Sequence, residues 1–132
     1  MTGRRAILIG IDRYGGENDI FPSLSACVND ALAMQRALVK AGAFAAEEIA
    51  LLTDPPQPGG QAATRAGILQ ELVGVYDLGE PLDRLLVFFS GHGLSITLGR
   101  GLGELSTVLV CGGCTQVRNS GDMIILDKLA KD

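Results

Sequence analysis

The stretch Arg84-Leu-Leu-Val-Phe-Phe-Ser-Gly-His-Gly93 is where the fold of this chain becomes readable. Residues 84–89 form a nearly continuous apolar run, too short for a helix and rich in strand formers, which fits a buried parallel strand. The run stops at Ser90-Gly91-His92-Gly93. In open α/β sheets, ligands and catalytic groups collect beyond the carboxyl ends of the strands. His92, the only histidine of the chain, therefore stands where reacting atoms are found. Gly91 and Gly93 admit backbone conformations closed to other residues and let a substrate approach the main chain. An imidazole titrates near neutrality, so it can take a proton from a nucleophile and return it to a leaving group. A histidine that merely hydrogen-bonds a turn is the competing reading, and the strand alone does not choose between them.

Upstream, Ala6-Ile-Leu-Ile-Gly-Ile11 reads as a buried first strand and Asp12 to Asp19 as a polar loop. From Leu24, the apolar positions Cys27, Ala31, Met34, Leu38 and Ala41 step by three and four, which predicts a helix stopped by Gly42. Glu48 to Thr53 is a second short strand, and the proline-bearing stretch from Asp54 to Gly60 is a loop. Thr64 is the N-cap of a second helix with a buried stripe of Ile68, Leu69, Leu72, Val73 and Tyr76, ended by Gly79. Beyond the histidine, Leu94 to Thr115 reads as a β-hairpin or meander. Asp122 to Asp132, with Ile125, Leu126 and Leu129, is spaced like the start of an amphipathic helix that has no stop signal. Alternating strands and helices imply a parallel sheet with helices on its faces.

The 132 residues suit a single domain, expected over 1–132. A 47% hydrophobic, 20% charged composition describes an ordered globular chain. A net charge of −4 argues against a nucleic-acid footprint, and Arg4-Arg5 is too small a basic cluster to reverse that. With no apolar leader and no membrane-spanning run, the expected compartment is the cytoplasm. Three cysteines, Cys27, Cys111 and Cys114, suit reduced thiols better than a disulfide framework.

With these elements placed, the sequence resembles the caspase-like superfamily of cysteine peptidases, its metacaspase and bacterial caspase-like branch in particular. Arg5-Ala-Ile-Leu-Ile-Gly-Ile-Asp-Arg-Tyr14 is similar to that family's opening strand and loop, and Leu24-Ser-Ala-Cys-Val-Asn-Asp-Ala31 to its first-helix signature. Leu51-Leu-Thr-Asp54 resembles the second strand and Thr64-Arg-Ala-Gly-Ile68 the start of the next helix. Leu86-Val-Phe-Phe-Ser-Gly-His-Gly93 resembles the segment that carries the family's catalytic histidine. The resemblance implies an α/β fold, the three-layer αβα caspase-like sandwich with a mostly parallel sheet. It implies a polypeptide substrate and a cysteine–histidine dyad in which His92 activates a thiol, with the Gly93 N–H donating to the oxyanion. Asp30 falls where a carboxylate lines a pocket for a basic residue in metacaspases; taken alone, it is also a solvated acid near a helix start. Cys27 matches a cysteine of the same signature, while its place on the apolar stripe favours burial in the core.

The family's nucleophile lies on a further strand, about 50 residues beyond the histidine in the caspase pattern. Only 40 residues follow His92, and none of them has the nucleophile's context. The expectation is therefore a domain truncated before the nucleophile strand, inactive alone, with an exposed sheet edge available to pair with another chain. A caspase-like pseudoenzyme or interaction module, and more distantly a small α/β redox or nucleotide-binding domain, are the alternatives. Cys111 or Cys114 as substitute nucleophile requires a hairpin that returns to His92. The Cys111-Gly-Gly-Cys114 spacing lacks two further ligands for zinc and a following helix for a redox motif. No cofactor is called for: metacaspases are often calcium-stimulated, yet no acidic cluster here has convincing ligand spacing.

Overall fold

The computed structural model describes residues 3–14, 23–76, 82–97, 105–110 and 123–125. Its centre is β1 (Gly3–Ile11), which pairs in parallel with β2 (Ile49–Asp54) on one side and β4 (Leu82–Ser90) on the other. The two-residue β3 (Gln61–Ala62) adds beyond β2, giving the order β3-β2-β1-β4. Helix α1 (Cys27–Lys40) packs on β1, β2 and β4, and α2 (Arg65–Tyr76) on β1 and β2.

The two helices occupy opposite faces, and β1 shows this residue by residue. Ile7, Ile9 and Ile11 join Ala50, Leu52 and Ile68 in one core, flanked by Leu69 and Leu72 of α2. Ala6 and Leu8 join Ala31, Phe44 and Leu51 in the other, flanked by Met34 and Leu38 of α1. Alternate residues of a strand point to opposite faces, so a strand covered on both must be apolar throughout, as 6–11 is. Each fully buried aliphatic side chain contributes about 1.5–3 kcal/mol. The result is the α/β, three-layer αβα arrangement of a caspase-like fold.

Local chemistry sets the helix boundaries. Gly42, at φ 74°, closes α1: the Ala43 N–H donates to the Leu38 carbonyl at 3.1 Å and the Gly42 N–H to that of Val39 at 3.1 Å. These bonds satisfy carbonyls that the helix end would otherwise leave unpaired. At the start of α2 the Thr64 hydroxyl accepts the Gly67 N–H at 3.1 Å, as an N-cap should. Charged clasps hold the amino end of the sheet. Arg4 meets Glu48 of the 3-10 turn Ala46–Glu48 at 3.1 Å, and Arg5 meets Glu71 of α2 at 2.9 Å.

Three expectations need correction. The run 84–89 does lie in a parallel strand, yet β4 is not buried: Leu85 and Val87 are 48% and 45% exposed. Among the described residues β4 is the outermost strand of its sheet, and α2 lies over β1 and β2 rather than over β4. Val73, expected in the buried stripe of α2, is 53% exposed. Five positions past Ile68 is about 140° around the helix, whereas Leu72 and Val75 return to the sheet side. The third correction concerns 122–132, read as the start of a helix. Met123–Ile125 is a strand, β7, antiparallel to β6 (Leu105–Val110), where the spacing predicts the first turn of a helix. β6 in turn pairs antiparallel with β5 (Gly93–Thr97), which agrees with the hairpin expected after the histidine. Gly79, Cys111, Cys114, Leu126 and Leu129 lie outside the described residues.

Candidate active site

The carboxyl ends of β1, β2 and β4 converge where the start of α1 crosses the sheet. Gly10 makes the crossing possible. A Cβ there would collide with the Cys27 carbonyl oxygen and stand 3.0 Å from the Ala31 Cβ, so only glycine lets α1 lie this close to β1. Asp12, just past β1, then fastens the helix. Its Oδ1 accepts the Cys27 N–H at 2.8 Å and the Val28 N–H at 3.3 Å, satisfying donors that every helix leaves open at its start. Ala26, the N-cap residue of α1, offers no side-chain bond of its own. Arg13 reaches sideways, its Nε and Nη2 donating to Asp54 Oδ1 at 2.9 and 2.8 Å, and ties the end of β1 to that of β2.

These contacts bring the N-terminal turn of α1 to the turn after β4. Gly10 pairs with Ser90 in the last register position of β1 and β4. The Ser90 hydroxyl donates to Asp30 Oδ2 at 3.1 Å, so Asp30, exposed in the first turn of α1, faces the segment that ends in His92. Tyr14 stands on the other side. Only 3% exposed, it accepts the His92 backbone N–H on its hydroxyl at 2.8 Å, and its ring meets the imidazole edge-on with centroids 4.5 Å apart. Gly91 is glycine for a visible reason: a Cβ would run into the Tyr14 hydroxyl. Gly93 opens β5 opposite Leu109 and is exposed.

Of the residues picked from the sequence, Asp30 and His92 are thus brought to one edge, joined through Ser90, with Gly93 next in the chain. Cys27 is buried on α1. Asp12 and Tyr14 were missed. Both sit in the loop after the opening strand, where the sequence assigns them no role, and each acts on a residue far along the chain, 15 positions away for Asp12 with Cys27 and 78 for Tyr14 with His92. Among the described residues, no group of three or more His, Cys, Asp or Glu side chains is placed to hold a metal ion. Among those residues too, no helix is long and apolar enough to cross a membrane.

Residues 4–129 match the family model described as the metacaspase, peptidase C14 domain. The chain belongs to the metacaspase peptidase C14 family. Its metacaspase relatives include Metacaspase-1 of Cryptococcus neoformans, 34% identical over 93 residues that make up 70% of this chain and 20% of that protein. Metacaspase-1 of Yarrowia lipolytica is 32% identical over 90 residues, 68% of this chain and 19% of that protein. Metacaspase-1A of Aspergillus fumigatus is 36% identical over 93 residues, 70% of this chain and 22% of that protein. The chain thus spans about a fifth of the length of the curated metacaspases it matches. Membership places it in a family of caspase-like cysteine peptidases.

Proposed function

We propose that this chain supplies the histidine side of a cysteine endopeptidase site, with His92 as general base and acid of a Cys–His dyad. The observation that carries the reading is the turn Ser90–Gly93 at the carboxyl end of β4, joined to Asp30 within the span that matches the metacaspase peptidase family. His92 takes the proton of the nucleophilic thiol, and the thiolate attacks the carbonyl carbon of a peptide bond. The carbonyl oxygen becomes an oxyanion facing the Gly93 N–H. Collapse breaks the C–N bond while the imidazolium returns its proton to the leaving amine. Water deprotonated by His92 then hydrolyses the thioester and frees the thiol. In this reading the thiol belongs to sequence beyond residue 132, and Cys27 stays a core residue.

Asp30 is the specificity element. An exposed carboxylate beside the turn suits the guanidinium or ammonium of an Arg or Lys preceding the scissile bond, which a charge-assisted hydrogen bond would select. The compartment is the cytoplasm, where thiols stay reduced. The test is cleavage of Arg-, Lys- and Asp-terminated peptide substrates by the whole protein that carries this chain. Turnover after Arg or Lys is expected, falling at least about 100-fold in His92→Ala. Asp30→Ala should weaken turnover of basic substrates selectively. No cleavage, or cleavage indifferent to His92→Ala, overturns the peptidase reading in favour of a non-catalytic module.

A further inference from the structure

We infer that Tyr14 is the positioning residue for His92, an inference that rests on the peptidase reading for its catalytic consequence but not for its geometry. A general base gains its advantage from being held within reach of one proton in one orientation, and small displacements are expensive. A histidine between two glycines gains no restraint from its neighbours' side chains, and in the backbone only Gly93, opposite Leu109, belongs to a strand pairing. A side chain that contacts both the backbone and the ring adds the restraint that the glycines do not give. Tyr14 supplies it at two points: its hydroxyl accepts the backbone N–H of His92 at 2.8 Å, and its ring abuts the imidazole at 4.5 Å and 69°.

Tyr14 can do this because it is itself fixed. It is 3% exposed and packs in the core cluster with Ile9, Ile11 and Ile68. Its backbone N–H donates to the Ser23 hydroxyl at 3.4 Å, and the Arg13 to Asp54 pair anchors the preceding residue to β2. Gly91 completes the fit, since any side chain there would occupy the position of the Tyr14 hydroxyl. The hydroxyl sets the path of the turn, and with it the direction of the Gly93 N–H. The ring sets the plane of the imidazole. Tyr14 acts through His92, on its backbone N–H and its ring, so it is a positioning residue rather than a catalytic one.

Tyr14→Phe keeps the ring and its packing while removing the acceptor of the His92 N–H. In the whole protein, kcat on the preferred peptide is expected to fall about ten- to 100-fold with KM changed less than about twofold. The His92 ring resonances, identified by their disappearance in His92→Gln, should shift or broaden in Tyr14→Phe, and more in Tyr14→Leu, which also removes the ring. Gly91→Ala, which displaces the hydroxyl from the opposite side, should move the same resonances while Tyr14 remains. A purely structural tyrosine would lower the folded fraction yet leave kcat per folded molecule and the His92 resonances unchanged. That result in Tyr14→Phe overturns the inference. Should the wild-type protein cleave no peptide, the peptidase reading fails by itself. The resonance measurements then decide whether Tyr14 holds His92.

Discussion

β1 and β4 are neighbours in one parallel sheet and are built from nearly interchangeable residues, yet they live in different surroundings. Every side chain of β1 from Ala6 to Ile9 is closed off from solvent. In β4, Phe88 and Leu86 pack toward α1 and Phe89 toward the opposite core, while Leu85 and Val87 stand in solvent. The difference teaches that strand rank, not strand composition, sets what a residue is worth. β1 has a strand on each side and a helix on each face. Among the described residues, β4 has β1 on one side and α1 on one face.

The comparison breaks most visibly if equal truncations cost the same in both strands. Ile9→Ala in β1 is expected to destabilise by about 2–5 kcal/mol. Val87→Ala in β4 should stay within about 0.5 kcal/mol, as exposed positions do. Urea unfolding of both variants measures the contrast, and equal shifts would mean that β4 is covered in solution. Next in size is Gly10→Ala. Its added methyl group meets the Cys27 carbonyl and forces α1 off the sheet, an overpacking cost of about 1–3 kcal/mol. The same unfolding experiment should find less effect at Gly74 of α2, where an added Cβ meets nothing within 4 Å.

Asp12→Ala removes the acceptor for the first N–H groups of α1 and is expected to cost about 1 kcal/mol. Asp12→Asn, which keeps an oxygen acceptor, should recover most of it. The smallest effect sits at the amino end of β1. The Ala45 N–H, assisted by the Arg4 guanidinium and opposed by burial, holds the Glu48 carboxyl below its ordinary 4.5. The folded chain thus binds this proton less readily than the unfolded chain. The stabilisation is complete above about pH 4.5 and is lost as pH falls through the lower folded value. Glu48→Gln should flatten this part of the acid limb of a stability-versus-pH curve. An unchanged limb would show the clasp to be idle.

Much of this was legible because it is local. Gly42 and Thr64 mark helix ends through their own backbone and hydroxyl chemistry, and the run 6–11 declares a strand buried on both faces. What stayed hidden depends on partners distant in sequence. Met123–Ile125 is a short apolar run whose strand conformation comes from pairing with Val108–Val110, and the helical spacing around it carried no trace of that. Leu85 and Val87 look like core residues until the strand order is known. At the site, His92 and Asp30 drew notice by residue type and resemblance to a family. Tyr14 and Asp12 are ordinary loop residues until folding brings them to the turn and the helix they serve.

The bond from Asp12 to α1 also bears on the order of folding. The helix carries its own stop in Gly42, but its start is fastened by a residue from another element, across a loop. A peptide of residues 23–44 should therefore fray more at its first turn than at its last, and that first turn carries Asp30. The acid proposed to meet the substrate thus gains a fixed address only after β1 has docked, so a partly folded chain would have no selective pocket to offer.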